Sequence, residues 1–365
     1  MSNKKIYDNI FAFHPGYYIS EIIEDMVISQ TEFATRMGTT PKTLSKLING
    51  QCDLSNDLAL KIATMLGTSV DVWLNLQKEY DKNLLEIETK KSINEQEEIM
   101  KMIDYSFFEQ VVGLPKTRIL SEKISNLCKC LMISDLRILT QPDFLVNYRT
   151  GIKDVQKKNI VNSKAWIQIS MNLAKEIEVS PFDAKKLKEH LSEIREMTLQ
   201  SPEIFLPRLK SIFSDCGVAF VLLPHLKNSG VNGAVKWYGN NQVVLAINNR
   251  RCYADTFWFS LFHEIGHILQ QKVKTLFVSG ADSFTAIDKK LEEEADLFAQ
   301  NILIPKKEYE QLKPTKYIKD SEIVAFADKI GIHSGIVAGR LQYDKIISNS
   351  RCSSLKERYN IVIKY

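Results

Sequence analysis

The sequence predicts an α+β chain, mostly helical, in which an all-α N-terminal domain precedes a domain built on a small three-stranded antiparallel sheet. Three observations point there. Apolar residues recur at helical spacing over residues 17–80, short β-branched and aromatic runs begin at Cys216-Gly217, and two helical stretches follow those runs. At 365 residues the chain has room for two or three domains with cores of their own. Its 44% hydrophobic and 25% charged content is ordinary for a globular protein.

The N-terminal helices can be placed one by one. Ile19, Ile22, Ile23 and Met26 form the apolar stripe of the first, Phe33, Ala34 and Met37 that of the second, and Leu44, Leu47 and Ile48 that of the third. Ser29 caps the second helix, Glu32 three residues on completes a capping box, and Gly38 stops it. Thr40-Pro41 opens the third with a cap and an N1 proline, and Asn49-Gly50 ends it. Ser55 caps a fourth helix with Leu58, Ile62 and Leu66 on one face, and a fifth runs from about Val70 to Tyr80.

Beyond Asp81 the chain reads as helical and charged to about Gln200, with Lys90 to Glu98 a solvated linker or exposed helix. Strands are expected at Val218–Leu223, Gly233–Tyr238 and Val243–Ile247. Turn signals at Pro224, Asn228-Ser229-Gly230 and Gly239-Asn240-Asn241 separate them. A strongly apolar helix follows from about Thr256 to Gln271, and another from about Lys289 to Ile302 is stopped by Pro305. The expected organisation is a helical domain over 10–82, a helical connecting region over 83–200, a second domain over 201–345 and a basic segment over 346–365.

Composition narrows the function classes. No stretch reaches the ~18 uninterrupted apolar residues of a membrane span. Lys4 and Lys5 are followed by no apolar h-region, so no secretory signal is expected and the chain is placed in the cytoplasm. Cys52, Cys128, Cys130, Cys216, Cys252 and Cys352 include no C-x-x-C pair and read as thiols rather than a disulfide framework. Cys128 and Cys130, two residues apart on a helix, face different directions and make a poor metal pair. The net charge of +4 is too small to announce a nucleic-acid binder. Residues 1–80 hold 7 Lys and Arg against 9 Asp and Glu, whereas residues 306–365 hold 12 against 7.

The chemistry concentrates at His263-Glu264-Ile265-Gly266-His267. Four residues apart on a helix, His263 and His267 share a face and can close on one zinc ion. Glu264, one residue along, cannot join them as a ligand, but it can take a proton from a water activated by the metal. Phe257, Trp258, Phe259, Leu261, Phe262, Ile265, Ile268 and Leu269 surround the motif, so the helix is buried nearly all round. Two histidines and a glutamate are costly there unless paired or metal-bound, which weighs against an accidental match. A third ligand is expected on the next helix, at Leu291-Glu292-Glu293-Glu294-Ala295-Asp296. Glu292 and Asp296 share a face, so one can bind zinc while the other accepts the distal N–H of a ligand histidine. Spacing alone does not choose between Glu292 and Glu294. Tyr309, Tyr317, His333, His225 and Arg340 are candidate donors to a transition-state oxyanion, though each taken singly reads more readily as a structural or surface residue.

His263-Glu264-x-x-His267, followed by Glu292-x-x-Ala295-Asp296-x-Phe298-Ala299 and Leu303-Ile304-Pro305, resembles the ImmA/IrrE family of metallo-endopeptidases. The resemblance extends upstream through Gly217-Val218-Ala219, Gly233-Ala234 and Asp255-x-Phe257-Trp258-Phe259, and downstream through Gly331 to Val337 and Gly339-Arg340-Leu341-Gln342. It covers roughly residues 200–345 and is highly specific. It implies a zincin-like fold of the gluzincin type, with Glu292 as the third zinc ligand. Ser334 stands where proline is expected and Ile304 where methionine is commoner, and neither touches the metal chemistry.

At the other end, Gln30 to Met37, a turn at Gly38-Thr39 and Thr40 to Asn49 form a helix-turn-helix pattern. Lys42, Thr43 and Lys46 lie on the exposed face of its second helix, where early residues meet base edges, and Gln30 and Thr40 can hydrogen-bond phosphates. The plainer reading is a small helical domain with solvated lysines. Only Arg36, Lys42 and Lys46 supply local positive charge, so one copy should bind weakly and a dimer on a two-fold site should double the contacts. His14-Pro15-Gly16, Ser29-Gln30, Lys42-Thr43-Leu44-Ser45-Lys46, Asn49-Gly50 and Trp73-Leu74-Asn75-Leu76-Gln77 resemble the Xre-type DNA-binding domain of HigA antitoxins over about residues 10–82. That resemblance implies a homodimer on a double-stranded DNA operator.

The leading expectation is a transcriptional regulator or antitoxin-like protein with a fused zinc endopeptidase that cleaves a protein partner: a repressor, a toxin or its own chain. The alternative is a non-enzymatic DNA-binding antitoxin whose zinc domain binds a partner or senses a signal. Glu264 separates them, because a purely structural zinc site has no use for that carboxylate. A hydrolase of small amides is the weakest reading, since nothing suggests a small enclosed pocket.

Overall fold

A computed structural model describes residues 3–141, 156–238, 241–249, 253–270, 277–279, 286–312 and 318–361, with backbone alone at 277–279 and 286–289. Tyr317, Cys252 and the Gly239-Asn240 turn lie outside the described residues. By internal contacts the chain divides into two compact units, Met1–Glu95 and Gln96–Tyr365.

The first unit opens with a hairpin absent from the sequence reading. Strands β1 (Lys4–Tyr7) and β2 (Ile10–Phe13) pair antiparallel through a two-residue turn at Asp8-Asn9, whose φ values are 43 and 64. Asp and Asn tolerate that left-handed backbone, and between KKIY and IFAF they were a legible turn signal. Helices α1 (Pro15–Asp25), α2 (Gln30–Arg36), α3 (Pro41–Ile48) and α4 (Asn56–Leu66) then enclose a core of Ile19, Phe33, Leu44, Leu47 and Ile62, closed by Trp73. The expected caps are in place, with Ser29, Thr40 and Ser55 accepting the N–H groups of Glu32, Thr43 and Leu58. The box at Ser29 is half made, because the Glu32 carboxylate turns to Arg36 instead. Gly38, at φ 67, makes the turn between α2 and α3. Helix α5 (Val70–Met100) runs twenty residues past its expected end at Tyr80, since no glycine or proline interrupts 81–100.

In the second unit, helices α6 (Tyr105–Val111), α7 (Leu120–Leu131), α8 (Lys157–Ala174), α9 (Ala184–Glu189), α10 (Leu191–Glu196) and α11 (Pro202–Asp215) precede a mixed sheet. Its strands β3 (Val218–Leu223), β4 (Gly233–Tyr238), β5 (Gln242–Asn248) and β6 (Phe277–Ser279) lie in the order β3-β5-β4-β6. The three expected strands exist, but the all-antiparallel pairing is corrected. After β3 the chain crosses to β4, and β5 returns between them, parallel to β3 and antiparallel to β4. A fourth short strand, β6, pairs antiparallel with β4. Every residue of β3 is buried, the mark of a strand covered on both faces. Val218, Phe220 and Leu222 join the main core with Phe213 of α11, while the alternate residues Ala219, Val221 and Leu223 are buried too, and α8 packs on β3 and β5.

Helix α12 (Ala254–Leu269) crosses this sheet and packs against α13 (Ala286–Leu303). Helices α14 (Lys306–Leu312), α15 (Asp320–Ile330) and α16 (Ser334–Tyr343) follow. Residues after α16 fold back on the start of α12: Trp258 Nε1 donates to Tyr359 Oη at 2.8 Å, and Ala254 N to the Glu357 carbonyl at 3.0 Å. No helix among the described residues is long and apolar enough to cross a membrane.

Candidate functional site

Four-residue spacing on α12 turns His263 and His267 to the same side, where α13 brings Glu292 against them. The two Nε2 atoms are 3.0 Å apart, and the Glu292 carboxylate oxygens lie 3.2 Å from His263 Nε2 and 3.1 Å from His267 Nε2. Behind them, His263 Nδ1 is 2.8 Å from Asp296 Oδ1 and His267 Nδ1 is 3.1 Å from Gln270 Oε1. Gln270 Nε2 donates to the Leu291 carbonyl at 2.8 Å, which sets the amide with its oxygen toward His267. Each Nδ1 therefore has an acceptor to donate to, and the Nε2 lone pairs converge with a carboxylate.

Three such electron donors repel one another unless a positive charge sits among them. Proton affinities express the same demand. Burial opposes a charge on His263, yet the Asp296 and Glu292 carboxylates outweigh it and lift its pKa to about 10. Burial alone would raise Glu292, but the two histidines hold it at about 2. His263, His267 and Glu292 could hold a metal ion, their ligand atoms all lying within 4.8 Å of one another.

Glu264 sits beside this cluster and is 0% exposed. Burial lifts its pKa to about 7, against the pull of His263 and His267. The close approach of β4 to α12 depends on Gly233: a Cβ there would lie 2.3 Å from Glu264 Oε1. Glu293 and Glu294 are exposed. The far end of α13 is fixed by Arg195 of α10, which donates to the carbonyls of Ile302 at 2.8 Å and Leu303 at 3.1 Å, and to that of Ile330, at the end of α15, at 2.7 Å. The sequence reading assigned no site role to Gln270, Gly233 or Arg195, because only tertiary contact gives them one.

A cleft of about 1210 Å³ opens onto His263, Glu292 and Asp296. Among the oxyanion candidates in the described residues, Arg340 alone lines it. Arg340 donates to Asp344 at 2.8 Å, and Tyr309 donates to the same carboxylate at 2.5 Å. His333 caps α16 by accepting from Gly335 N at 3.1 Å, and His225 Nδ1 lies 3.3 Å from Ser229 Oγ.

In the first unit, Gln30 is the exposed first residue of α2. Lys42 and Lys46 are exposed on α3 and make no ion pair among the described residues, while Arg36 is paired with Glu32. Thr40 Oγ1 is engaged as the cap of α3 and lies 2.8 Å from Thr43 Oγ1.

Comparison with known proteins gives two family matches. Residues 222–342 match the IrrE N-terminal-like domain, Peptidase_M78, and residues 19–73 match a helix-turn-helix family. The chain is similar to the HTH-type transcriptional regulator YddM of Escherichia coli K12, 38% identical over 63 residues, 17% of this chain and 67% of that one. It is also similar to virulence-associated protein I of Dichelobacter nodosus, 30% identical over 84 residues, 23% and 77% of the two chains. Antitoxin HigA-1 of Vibrio cholerae is 39% identical over 61 residues, 17% of this chain and 57% of its own length.

Proposed function

Since the chain belongs to the helix-turn-helix regulators and carries an IrrE N-terminal-like domain, we propose that it is a DNA-binding regulator with a fused zinc-dependent endopeptidase that cleaves a regulatory protein partner. One observation carries the reading: His263 Nε2, His267 Nε2 and the Glu292 carboxylate converge in a cleft with Glu264 buried beside them. Two imidazoles and one carboxylate suit zinc and leave a position free for a reactant. Bound there, zinc supplies polarisation of a peptide carbonyl and acidification of water.

The side chains supply the rest. Asp296 and Gln270 accept the Nδ1 protons and so keep both Nε2 atoms directed inward. Glu264 takes the proton of the attacking water and returns it to the departing amine. A pKa lifted to about 7 fits a group that must both accept and give a proton near neutrality. Of the oxyanion donors expected from sequence and described in the structure, Arg340 is the one that lines the cleft, and it is assigned that role.

On the DNA side, α3 enters the major groove, with Lys42 and Thr43 near base edges and Lys46, Gln30 and the N-terminal end at Thr40 toward phosphates. Two copies on a two-fold operator in the cytoplasm would offset the weak charge of one. Similarity to an antitoxin favours a second reading, in which the zinc domain binds a toxin without cutting it. The test is to incubate the purified chain with the products of neighbouring genes, with and without a chelator. Cleavage that the chelator abolishes is expected, and stable complexes without cleavage would favour the second reading.

A further inference from the structure

Part of the cleft lining comes from the end of α16 and the residues after it, among them Tyr343, Lys345 and Ile347. An aromatic path joins this wall to the centre. Ring centroids of Tyr343 and Phe259 are 6.5 Å apart, and those of Phe259 and His263 are 6.3 Å apart. Tyr343 is 66% exposed, so much of its ring is open to a ligand.

The charges of the cleft are nearly all matched. Glu292 lies against the two histidines, Asp296 against His263, Asp255 against Lys356 at 2.7 Å, and Arg340 against Asp344 at 2.8 Å. Lys345 is exposed and has no ionic partner among the described residues. Its backbone is unusual as well. Lys345 N donates to the Gln342 carbonyl and Ile346 N to the Leu341 carbonyl, which puts Lys345 at the left-handed residue of a Schellman motif, φ 59. Glycine is the ordinary residue there, and a lysine is strained. Val27, Met132 and Cys352 share this left-handed backbone, so it is the place of Lys345 on the cleft wall, a cation with no ionic partner among the described residues, that points to a ligand.

We propose that Tyr343 and Lys345 form a specificity subsite for an extended polypeptide substrate. The Tyr343 ring packs on an apolar side chain, and the Lys345 ammonium pairs with an Asp or Glu. The two ring steps put Tyr343 at most about 13 Å from His263, the span of roughly four residues of extended chain, so the apolar residue lies within about four positions of the cut bond and the acidic residue close to it in sequence. This rests on the peptidase reading and names the substrate class it would take.

The test uses the full zinc-loaded chain, wild type, K345G and K345E, on a proteome-derived peptide library with cut sites read by mass spectrometry. Wild type should show Asp and Glu enriched about five-fold at one fixed offset from the cut bond, beside an apolar residue within about four positions of it, and 0.5 M salt should flatten the acidic enrichment. K345G should lose the preference while melting at a higher temperature, and K345E should replace it with Lys and Arg. Acidic enrichment that survives in both variants, or is absent from wild type, overturns the subsite, as does a lower melting temperature for K345G. If wild type cuts nothing, the peptidase reading fails first and takes the subsite with it, a result distinguishable because no cut sites exist to align.

Discussion

Glu264 is a carboxylate with no exposed surface, lifted to about pKa 7 by burial, against ~4.3 in an unfolded chain. The folded state binds this proton more tightly than the unfolded chain does. Its contribution therefore favours folding at low pH and is lost progressively as pH rises from about 4.5 to 7. In chelator-treated protein, E264Q cannot ionise, so it should be more stable than wild type at pH 8 by up to ~3 kcal/mol and should match it near pH 4. Equal thermal stability at pH 8 would contradict the account of its burial. The ligand choice left open by spacing is tested at a neighbouring position. Glu292 touches both histidines, whereas Glu294 is exposed and lies 3.9 Å from Lys290. By competition with a chromogenic chelator, E292A should lose more zinc affinity than D296N, which removes only an outer partner worth ~10–100-fold. E294A should bind zinc like wild type, and the reverse order would overturn the assignment.

Helix α13 carries the proposed ligand Glu292 and its neighbour Asp296, and the carbonyls at its far end accept from the guanidinium of Arg195. R195A would leave the carbonyls of Ile302, Leu303 and Ile330 without their donor, costing on the order of 3 kcal/mol by denaturant titration. R195K should recover only part of this, because an ammonium lacks the planar fork that reaches two helix ends at once. On α3, K42A with K46A should lower the slope of log affinity against log salt by about one, for the phosphate contact of Lys46, and relax sequence preference where Lys42 meets base edges. An unchanged slope would move DNA contact elsewhere. The helices of the first unit were legible because caps are local: Ser29, Thr40 and Ser55 each act on a backbone N–H three residues ahead. The strand order was not, because it depends on pairings distant in sequence. Yet the unbroken apolar run of β3, VAFVLL, carried a hint of a strand covered on both faces. Within the site, His263 and His267 could be read from helical periodicity, whereas the space at Gly233, the amide of Gln270 and the cation at Lys345 gain meaning only once separate elements meet.

At the scale of the whole chain, a helix-turn-helix domain and a metallopeptidase-like domain lie in separate compact units, residues 1–95 and 96–365. The segment after residue 345, basic in sequence, is part of the second unit: Tyr359 is buried, and Lys356 lines the cleft. Glu264 is the residue on which the enzyme reading depends, since the proposed zinc site needs only His263, His267 and Glu292 as ligands. The most direct measurement compares wild type, E264Q and H263A for cleavage of the partner protein, alongside zinc content and operator binding. E264Q should keep its zinc and its DNA affinity while cleavage falls by ~10²–10⁴, and H263A should lose zinc and cleavage together. Cleavage by E264Q at the wild-type rate, with zinc in place, would contradict the peptidase account and leave the zinc domain as a binding module.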